Sequence, residues 1–195
     1  MENNAVKKSS RRLSTVHLAL CALFTALVAV GAFIQIPVPF MDYFTLQFFF
    51  VVLAGILLGP KLGALSVAVY VALGLVGAPI FAAGGGIGYV VRPSFGYLLG
   101  FIAAAFVTGV LRRRMRKSTW LSFFLAALGG FVVTYAIGIA YKYCILNFYL
   151  GTPASLWIIL LSCFPLDMPG DLLLCAVAAL AGRQLDRAKI GRYLG

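Results

Sequence analysis

Long apolar runs separated by short breaks constrain the fold of this chain more than any other feature. A membrane-spanning helix needs about 20 apolar residues, and only 11% of the 195 residues are charged, against about 25% in soluble domains. The composition therefore predicts an all-α integral membrane protein, a bundle of six transmembrane helices. The predicted spans are Thr15–Ile36, Phe44–Leu58, Leu62–Val76, Phe95–Leu111, Trp120–Phe148 and Leu156–Ala181.

The break between the second and third spans is the shortest, Gly59-Pro60-Lys61. One long broken helix is an alternative, but Gly-Pro is typical of a tight turn, so we favour two short spans. Apart from these spans we expect a basic N-terminal segment, 1–14, a single domain over 15–182, and a basic C-terminal tail, 183–195.

The basic residues are clustered between the apolar runs. Apart from Arg92 and Lys142, every Lys and Arg falls on the side of the membrane that carries both termini of a six-span chain. The positive-inside rule then predicts cytoplasmic termini. The net charge of +11 thus indicates a membrane topology in contact with lipid rather than a nucleic-acid partner.

A glycine-rich stretch, GAPIFAAGGGIGYVVRPSFGYLLGF, follows the third span and is predicted to lie outside. A flexible linker is one interpretation. The stretch is also apolar and aromatic, with Tyr89 among its rings, and Gly84, Gly85 and Gly86 allow the backbone to approach a ligand closely. Arg92 fits either a forked contact with a ligand carboxylate or an interfacial charge facing water.

Two charged residues lie inside predicted spans, Lys142 in the fifth and Asp171 in the sixth. Each costs about 2.5–3.5 kcal/mol on insertion scales and so needs a reason. They form a structural ion pair, or snorkel toward the outer surface, or form a binding pair in an outward cavity. Pro169-Gly170 favours the binding pair, because a broken helix frees backbone groups beside a site.

The remaining patterns exclude several kinds of site and indicate how some of the helices pack. No set of side chains fits a catalytic or metal site, so we expect neither enzyme activity nor a metal or cofactor. The absence of a G-x-x-x-x-G-K-[ST] loop leaves ATP hydrolysis to other subunits. Ala22 and Ala26 form a small-xxx-small face that permits close helix packing. Gln47 is predicted to bond between helices, and Tyr135 to join an aromatic belt at the outer surface.

Three segments together resemble one family: TLQFFFVVLAGILLGPKLGALSVAVYVALGLVGAPIFAAGGG, RPSFGYLLGF and FPLDMPGDLLLCAVAAL. They are similar to BioY proteins, the biotin-specific substrate-binding (S) components of energy-coupling-factor (ECF) transporters. The resemblance implies high-affinity capture of biotin outside a bacterial plasma membrane. It also implies two kinds of partner, a transmembrane coupling (T) subunit and a pair of ABC-type ATPases.

The resemblance also implies roles for particular residues. Asp171 matches an acidic residue that binds the polar head of biotin, the segment 77–96 matches a loop that closes the pocket, and Ala22 and Ala26 match a surface for the coupling subunit. Many relatives carry Lys where this chain has Leu174, so Lys142 or Arg92 must supply the positive charge. The predicted biotin contacts are Asp171, Lys142, Arg92, Gly84, Gly85, Gly86, Tyr89, Phe44, Thr45 and Asn147. The alternative functions are an S component for another vitamin and a membrane-embedded enzyme or lipid-handling protein.

Overall fold

The computed structural model describes residues 15–36, 44–115, 117–163 and 167–188. The predicted N-terminal segment, 1–14, and the end of the tail, 189–195, lie outside these residues. Within them the regular elements are helices and one pair of two-residue antiparallel strands, β1 and β2. The elements are α1 (Thr15–Phe33), β1 (Gln35–Ile36), β2 (Phe44–Thr45), α2 (Gln47–Val76), α3 (Phe95–Arg114), α4 (Trp120–Cys144), α5 (Leu156–Cys163) and α6 (Asp167–Arg187).

Helix α2 reverses direction in its middle, at Gly59, where φ is 76° and ψ is −176°. Glycine is almost alone in reaching this backbone region. Beyond the reversal the two arms lie side by side: a Cβ atom on Gly63 would come within 2.9 Å of the Ala54 carbonyl oxygen. The predicted turn at Gly59-Pro60 is confirmed, and α2 is a helical hairpin of two short arms.

Two other predicted spans differ from straight helices. Helix α4 continues into a single π-helical stretch, Ile145–Tyr149, and reaches slightly beyond the predicted end. The predicted sixth span consists of α5 and α6, which are bent by 48° relative to each other. Within the described ranges four helices are long and apolar enough to cross a membrane, or five when α5 and α6 count as one span. The hairpin α2 enters that count once.

The core of the bundle lies where α3 packs between the α2 hairpin and α4. Small residues allow close approach at these contacts: a Cβ on Gly55 would come within 2.5 Å of the Ala105 carbonyl oxygen, and one on Gly100 within 2.9 Å of the Thr134 carbonyl oxygen. Helix α1 packs on α2, with the Thr25 hydroxyl donating to the Ser66 carbonyl. Helix α6 covers α2 and α4, whereas α5 packs mainly against α4.

The glycine-rich segment between α2 and α3 has local structure of its own. A bridge pairs Phe81 with Gly84, and Ile87–Val91 forms a 3-10 helix. The Gly86 amide donates to the Gly74 carbonyl at 2.7 Å, which fastens the segment to the end of α2. The segment therefore packs back onto the bundle. Its predicted position outside the membrane stays a prediction.

Candidate functional site

A cavity of about 450 Å³ opens at the end of the bundle where α2 and α3 begin. The basic residues at the end of α3, Arg112, Arg113 and Arg114, lie at the opposite end. The volume of the cavity falls within the range of about 300–1,000 Å³ that small-molecule sites occupy. The lining residues are Phe44, Thr45, Gln47, Phe48, Ala82, Tyr89, Pro93, Ser94, Tyr97, Leu98, Phe101, Tyr135, Lys142, Asp167 and Asp171.

Asp171 lies in the first turns of α6 and contributes a carboxylate to the cavity wall. The Tyr135 hydroxyl, on α4, donates to its Oδ2 atom at 2.9 Å. A carboxylate has about four acceptor sites on its two oxygens, so this bond leaves Asp171 able to accept hydrogen bonds from a ligand. The wall of the cavity therefore includes an acceptor whose position is set by a second cavity residue.

Lys142 brings a cation to the same cavity from α4. Its Nζ atom donates to the Ser162 hydroxyl at 3.2 Å. Neither a hydrogen bond nor an ion pair joins Lys142 to Asp171, both of which the structure describes. The structural ion pair, one of the alternatives from the sequence, is therefore wrong for this structure. A donor and an acceptor instead line one cavity with separate protein partners.

The opposite wall combines aromatic rings with a polar group at the start of α2. Phe44 and Phe48 supply apolar surface, and Gln47 is almost fully buried. The Gln47 side chain accepts a hydrogen bond from the Thr45 hydroxyl at 3.3 Å and donates to the Tyr70 hydroxyl at 2.7 Å. The predicted helix-to-helix bond of Gln47 is confirmed, and the same side chain also lines the cavity.

The glycine-rich segment closes one side of the cavity with Ala82 and Tyr89. The Tyr89 ring is buried against Phe81, with 4.6 Å between ring centroids. Arg92, another predicted contact, places its guanidinium over the Tyr89 ring, at 5.4 Å from the ring centroid. Arg92 itself is exposed and does not line the cavity.

The three consecutive glycines of this segment also lie outside the cavity lining. Gly84 and Gly86 have φ angles of 110° and 100°, which disfavour residues with a side chain. Gly85 packs so closely that a Cβ atom would overlap the Ala78 carbonyl oxygen. In this structure the glycines shape the backbone of the segment, and their predicted contact with a ligand stays a prediction.

Asn147 belongs to the π-helical stretch and clamps the following loop. Its amide nitrogen donates to the carbonyl oxygens of Tyr143 and Ala154, and its Oδ1 atom accepts from the Ala154 amide. These bonds occupy both amide hydrogens, and the residue does not line the cavity. The structure favours a role in loop structure over the predicted ligand contact.

Five of the predicted ligand contacts therefore meet in one cavity: Phe44, Thr45, Tyr89, Lys142 and Asp171. Sequence analysis missed Tyr97 and assigned Tyr135 to a surface belt, which is wrong because Tyr135 is only 5% exposed. Helical spacing carried a usable signal. Tyr135 precedes Lys142 by seven residues, two helical turns, so both side chains lie on one face of α4.

The predicted docking residues do not line the cavity and lie on the outside of the bundle. Ala22 and Ala26 are both exposed on α1, while the neighbouring Cys21, Phe24 and Thr25 are buried. The two alanines therefore do not pack inside the bundle. Their exposure suits a helix from a partner or lipid equally.

Comparison with known proteins points to one family. Residues 4–190 match the model of the BioY family. A probable biotin transporter BioY of Lysinibacillus sphaericus is 43% identical over 90% of this chain and 89% of its own length. The biotin transporter BioY of Thermotoga maritima is 38% identical over 90% of this chain and 99% of its own length.

A solved structure agrees with the sequence comparison. The fold is similar to the crystal structure of the S-component for biotin from an ECF-type ABC transporter, with a TM-score of 0.77 and 27% identity. The similarity covers 88% of this chain and 91% of the other. A match by the family model over nearly the whole chain, together with relatives of this similarity, shows that the chain belongs to the BioY family.

Proposed function

We propose that this multi-pass membrane protein captures biotin with high affinity at the extracellular face of a bacterial plasma membrane. It then delivers the vitamin across the membrane as the S component of an ATP-driven ECF transporter. The observation that carries the proposal is the cavity, in which Asp171 and Lys142 lie among aromatic rings. The membership of the BioY family and the likeness to a biotin S-component structure support it.

The chemistry of biotin suits the groups that line the cavity. Its ureido ring carries N–H donors, its sulfur ring and alkyl chain are apolar, and its chain ends in a carboxylate. Asp171 accepts hydrogen bonds from the ureido N–H groups in this proposal. Lys142 pairs with the carboxylate, since a cation that meets an anion away from water forms a strong hydrogen bond. The rings of Phe44, Phe48 and Tyr89 cover the apolar part.

The other predicted contacts depend on a change in the glycine-rich segment. Gly84, Gly85, Gly86 and Arg92 lie beside the cavity wall formed by Tyr89, so a small shift of the segment brings their backbone or the guanidinium to the ligand. Asn147 contributes indirectly in this proposal, because it holds the loop that follows α4.

Transport requires partners in this proposal. The chain has no nucleotide-binding loop, so two ABC-type ATPases supply the energy through a coupling (T) subunit, and the chain itself is not an enzyme. Six membrane spans with cytoplasmic termini follow when the hairpin α2 counts as two spans and α5 with α6 as one. The exposed face of Ala22 and Ala26 then meets the coupling subunit.

A ligand screen on the purified chain tests the proposal. Isothermal titration in detergent compares biotin with riboflavin, thiamine and lipoate, and we expect saturable binding of biotin alone. Tight binding of a different vitamin supports the alternative S component and overturns the assignment of biotin. Uptake of radioactive biotin by cells, with and without the coupling subunit and ATPases, tests transport: uptake that is unchanged without the ATPases contradicts the ATP-driven mechanism.

A further inference from the structure

Tyr135 is a cavity residue whose hydroxyl group faces another protein side chain rather than the open space. It lies on α4 and donates to Asp171 Oδ2 on α6 at 2.9 Å. We infer that Tyr135 is a positioning residue that holds the Asp171 carboxylate ready for the N–H donors of the ligand. The inference rests on the proposed binding of biotin and assigns a specificity role within that site.

The ring of Tyr135 is fixed on both sides. Tyr97 lies edge-on at 5.8 Å between centroids, and Phe131, one turn earlier on α4, lies at 4.6 Å. The side chain is only 5% exposed. A hydroxyl held in this way has little freedom to turn elsewhere, so its bond to Asp171 fixes the carboxylate as well.

The polar groups around Asp171 give Tyr135 a distinct role. The neighbouring Tyr97 hydroxyl lies 3.0 Å from the Cys163 sulfur rather than beside the carboxylate. Lys142 donates to Ser162. Asp167, one turn earlier on α6, also lines the cavity and carries the same charge. Tyr135 is therefore the side chain that donates to Asp171 within the described part of the chain.

A fixed carboxylate makes the site selective for one kind of ligand group. One oxygen of Asp171 accepts from Tyr135, and the other is an acceptor held in a constant position. A ligand N–H then forms its bond without first ordering the side chain, which preserves affinity. A ligand that places an acceptor atom there instead faces repulsion and leaves a buried acceptor unpaired. Tyr135 thus raises discrimination between N–H donors and isosteric acceptors.

A double-mutant cycle with two ligands tests this inference. Biotin affinity is measured for the wild type, Tyr135→Phe, Asp171→Asn and the double variant. The second ligand is a biotin analogue in which ring oxygens replace the ureido N–H groups. Tyr143→Phe serves as the control, since Tyr143 also lies on α4 but does not line the cavity.

We expect Tyr135→Phe to weaken biotin binding about tenfold, the effect of about one good polar contact. The loss falls below twofold for the analogue, which has no N–H to donate, and in the Asp171→Asn background, where the carboxylate is absent. A merely structural role lowers the affinities for biotin and analogue equally, and this result overturns the inference. Unchanged biotin affinity in Tyr135→Phe overturns it too. A wild type that fails to bind biotin instead contradicts the proposed function.

An infrared measurement on the unmodified protein keeps the inference testable if Tyr135→Phe does not fold. The carboxylate band of Asp171 is assigned from its absence in Asp171→Asn. We expect exchange of the labile hydrogens in D₂O, with refolding so that the buried hydroxyl also exchanges, to shift this band. A band that does not move means that no exchangeable hydrogen is donated to the carboxylate, which overturns the inference.

Discussion

Gln47 and Tyr70 form a hydrogen bond of 2.7 Å across the two arms of the α2 hairpin. The Tyr70 hydroxyl in turn donates to the Ile80 carbonyl at 3.0 Å. One buried phenol thus joins the cavity wall, the second arm of the hairpin and the start of the glycine-rich segment. Its hydroxyl is worth more than a single contact, because its removal leaves a buried amide and a carbonyl without their partner.

We predict that Tyr70→Phe lowers the free energy of unfolding by about 1–3 kcal/mol, the cost of leaving buried polar groups unsatisfied. It also weakens ligand binding, because Gln47 loses its fixed orientation. Reversible unfolding in mixed detergent micelles measures the first effect and titration the second. Tyr149→Phe is the control, since Tyr149 is 65% exposed. Equal stability of the two variants contradicts the prediction.

Asp171→Asn is expected to weaken biotin binding at least tenfold, about 1.4 kcal/mol. The amide is similar in size, but it lacks the charge and carries an NH2 donor in place of one oxygen. It therefore cannot accept from Tyr135 with one oxygen and from the ligand with the other. Titration of the folded variant measures the change. Asp186→Asn is the matched control, because Asp186 pairs with Arg112 at the other end of the bundle. An affinity equal to that of the wild type removes Asp171 from the site.

Lys142→Met is expected to weaken the binding of biotin, as Asp171→Asn does. The binding of biotinamide, in which an amide replaces the carboxylate, is expected to change little. Methionine keeps much of the side-chain length but removes the cation, so only a ligand with a carboxylate loses a partner. Titration with biotin and biotinamide measures both effects. Equal losses for the two ligands mean that Lys142 does not pair with the carboxylate, and a variant that does not insert or fold but keeps its affinity in the surviving fraction identifies Lys142 as structural.

Some features of the fold are easier to predict from the sequence than others. The apolar runs and Gly59-Pro60 predict the helices and the hairpin well, because length and backbone chemistry determine both. The face that each helix presents is harder to predict. A helix that is apolar on all sides gives little periodic signal, so Tyr135 was assigned to the surface although it faces the cavity.

Charged residues inside the apolar spans are easier to place from the sequence than polar residues near the ends of helices. Lys142 and Asp171 are conspicuous in apolar spans because their burial is costly, and they do meet in one cavity. Arg92 and Asn147 lie near the ends of helices, where water satisfies polar groups at little cost. Local loop geometry, which the sequence does not reveal, directs Asn147 to the backbone and Arg92 to the outside.

Ala22→Trp or Ala26→Trp is expected to abolish biotin uptake while leaving the biotin affinity of the isolated chain within about threefold, under 0.7 kcal/mol. Both positions are exposed in the single chain, so bulk there blocks a partner without overpacking the core. Uptake, co-purification with the coupling subunit, and titration measure the three effects. Leu121→Trp is the control, since Leu121 is 55% exposed on α4. A variant that loses biotin affinity together with biotin uptake contradicts the assignment of Ala22 and Ala26 to a docking surface.

Gly59→Ala is expected to lower the free energy of unfolding by about 1–3 kcal/mol, the cost of backbone strain at such angles. The added Cβ would also meet the Arg113 guanidinium at 2.5 Å. Gly88→Ala is the control, because a Cβ atom there meets nothing within 4 Å. Unfolding in micelles measures both variants, and a Gly59→Ala protein as stable as the control contradicts the assignment of strain to the turn.

The reversal at Gly59 also determines how this protein fits the thickness of its bilayer. At 1.5 Å per residue the arm from Gln47 to Leu58 rises only about 18 Å, well short of a hydrocarbon layer about 30 Å thick. We therefore expect Gln47 and the cavity beside it to lie below the level of the lipid headgroups on this side of the bundle. Hydrophobic mismatch of this kind makes lipids thin or the protein tilt, so we expect the bilayer to adapt to the short arm on the side where the cavity opens.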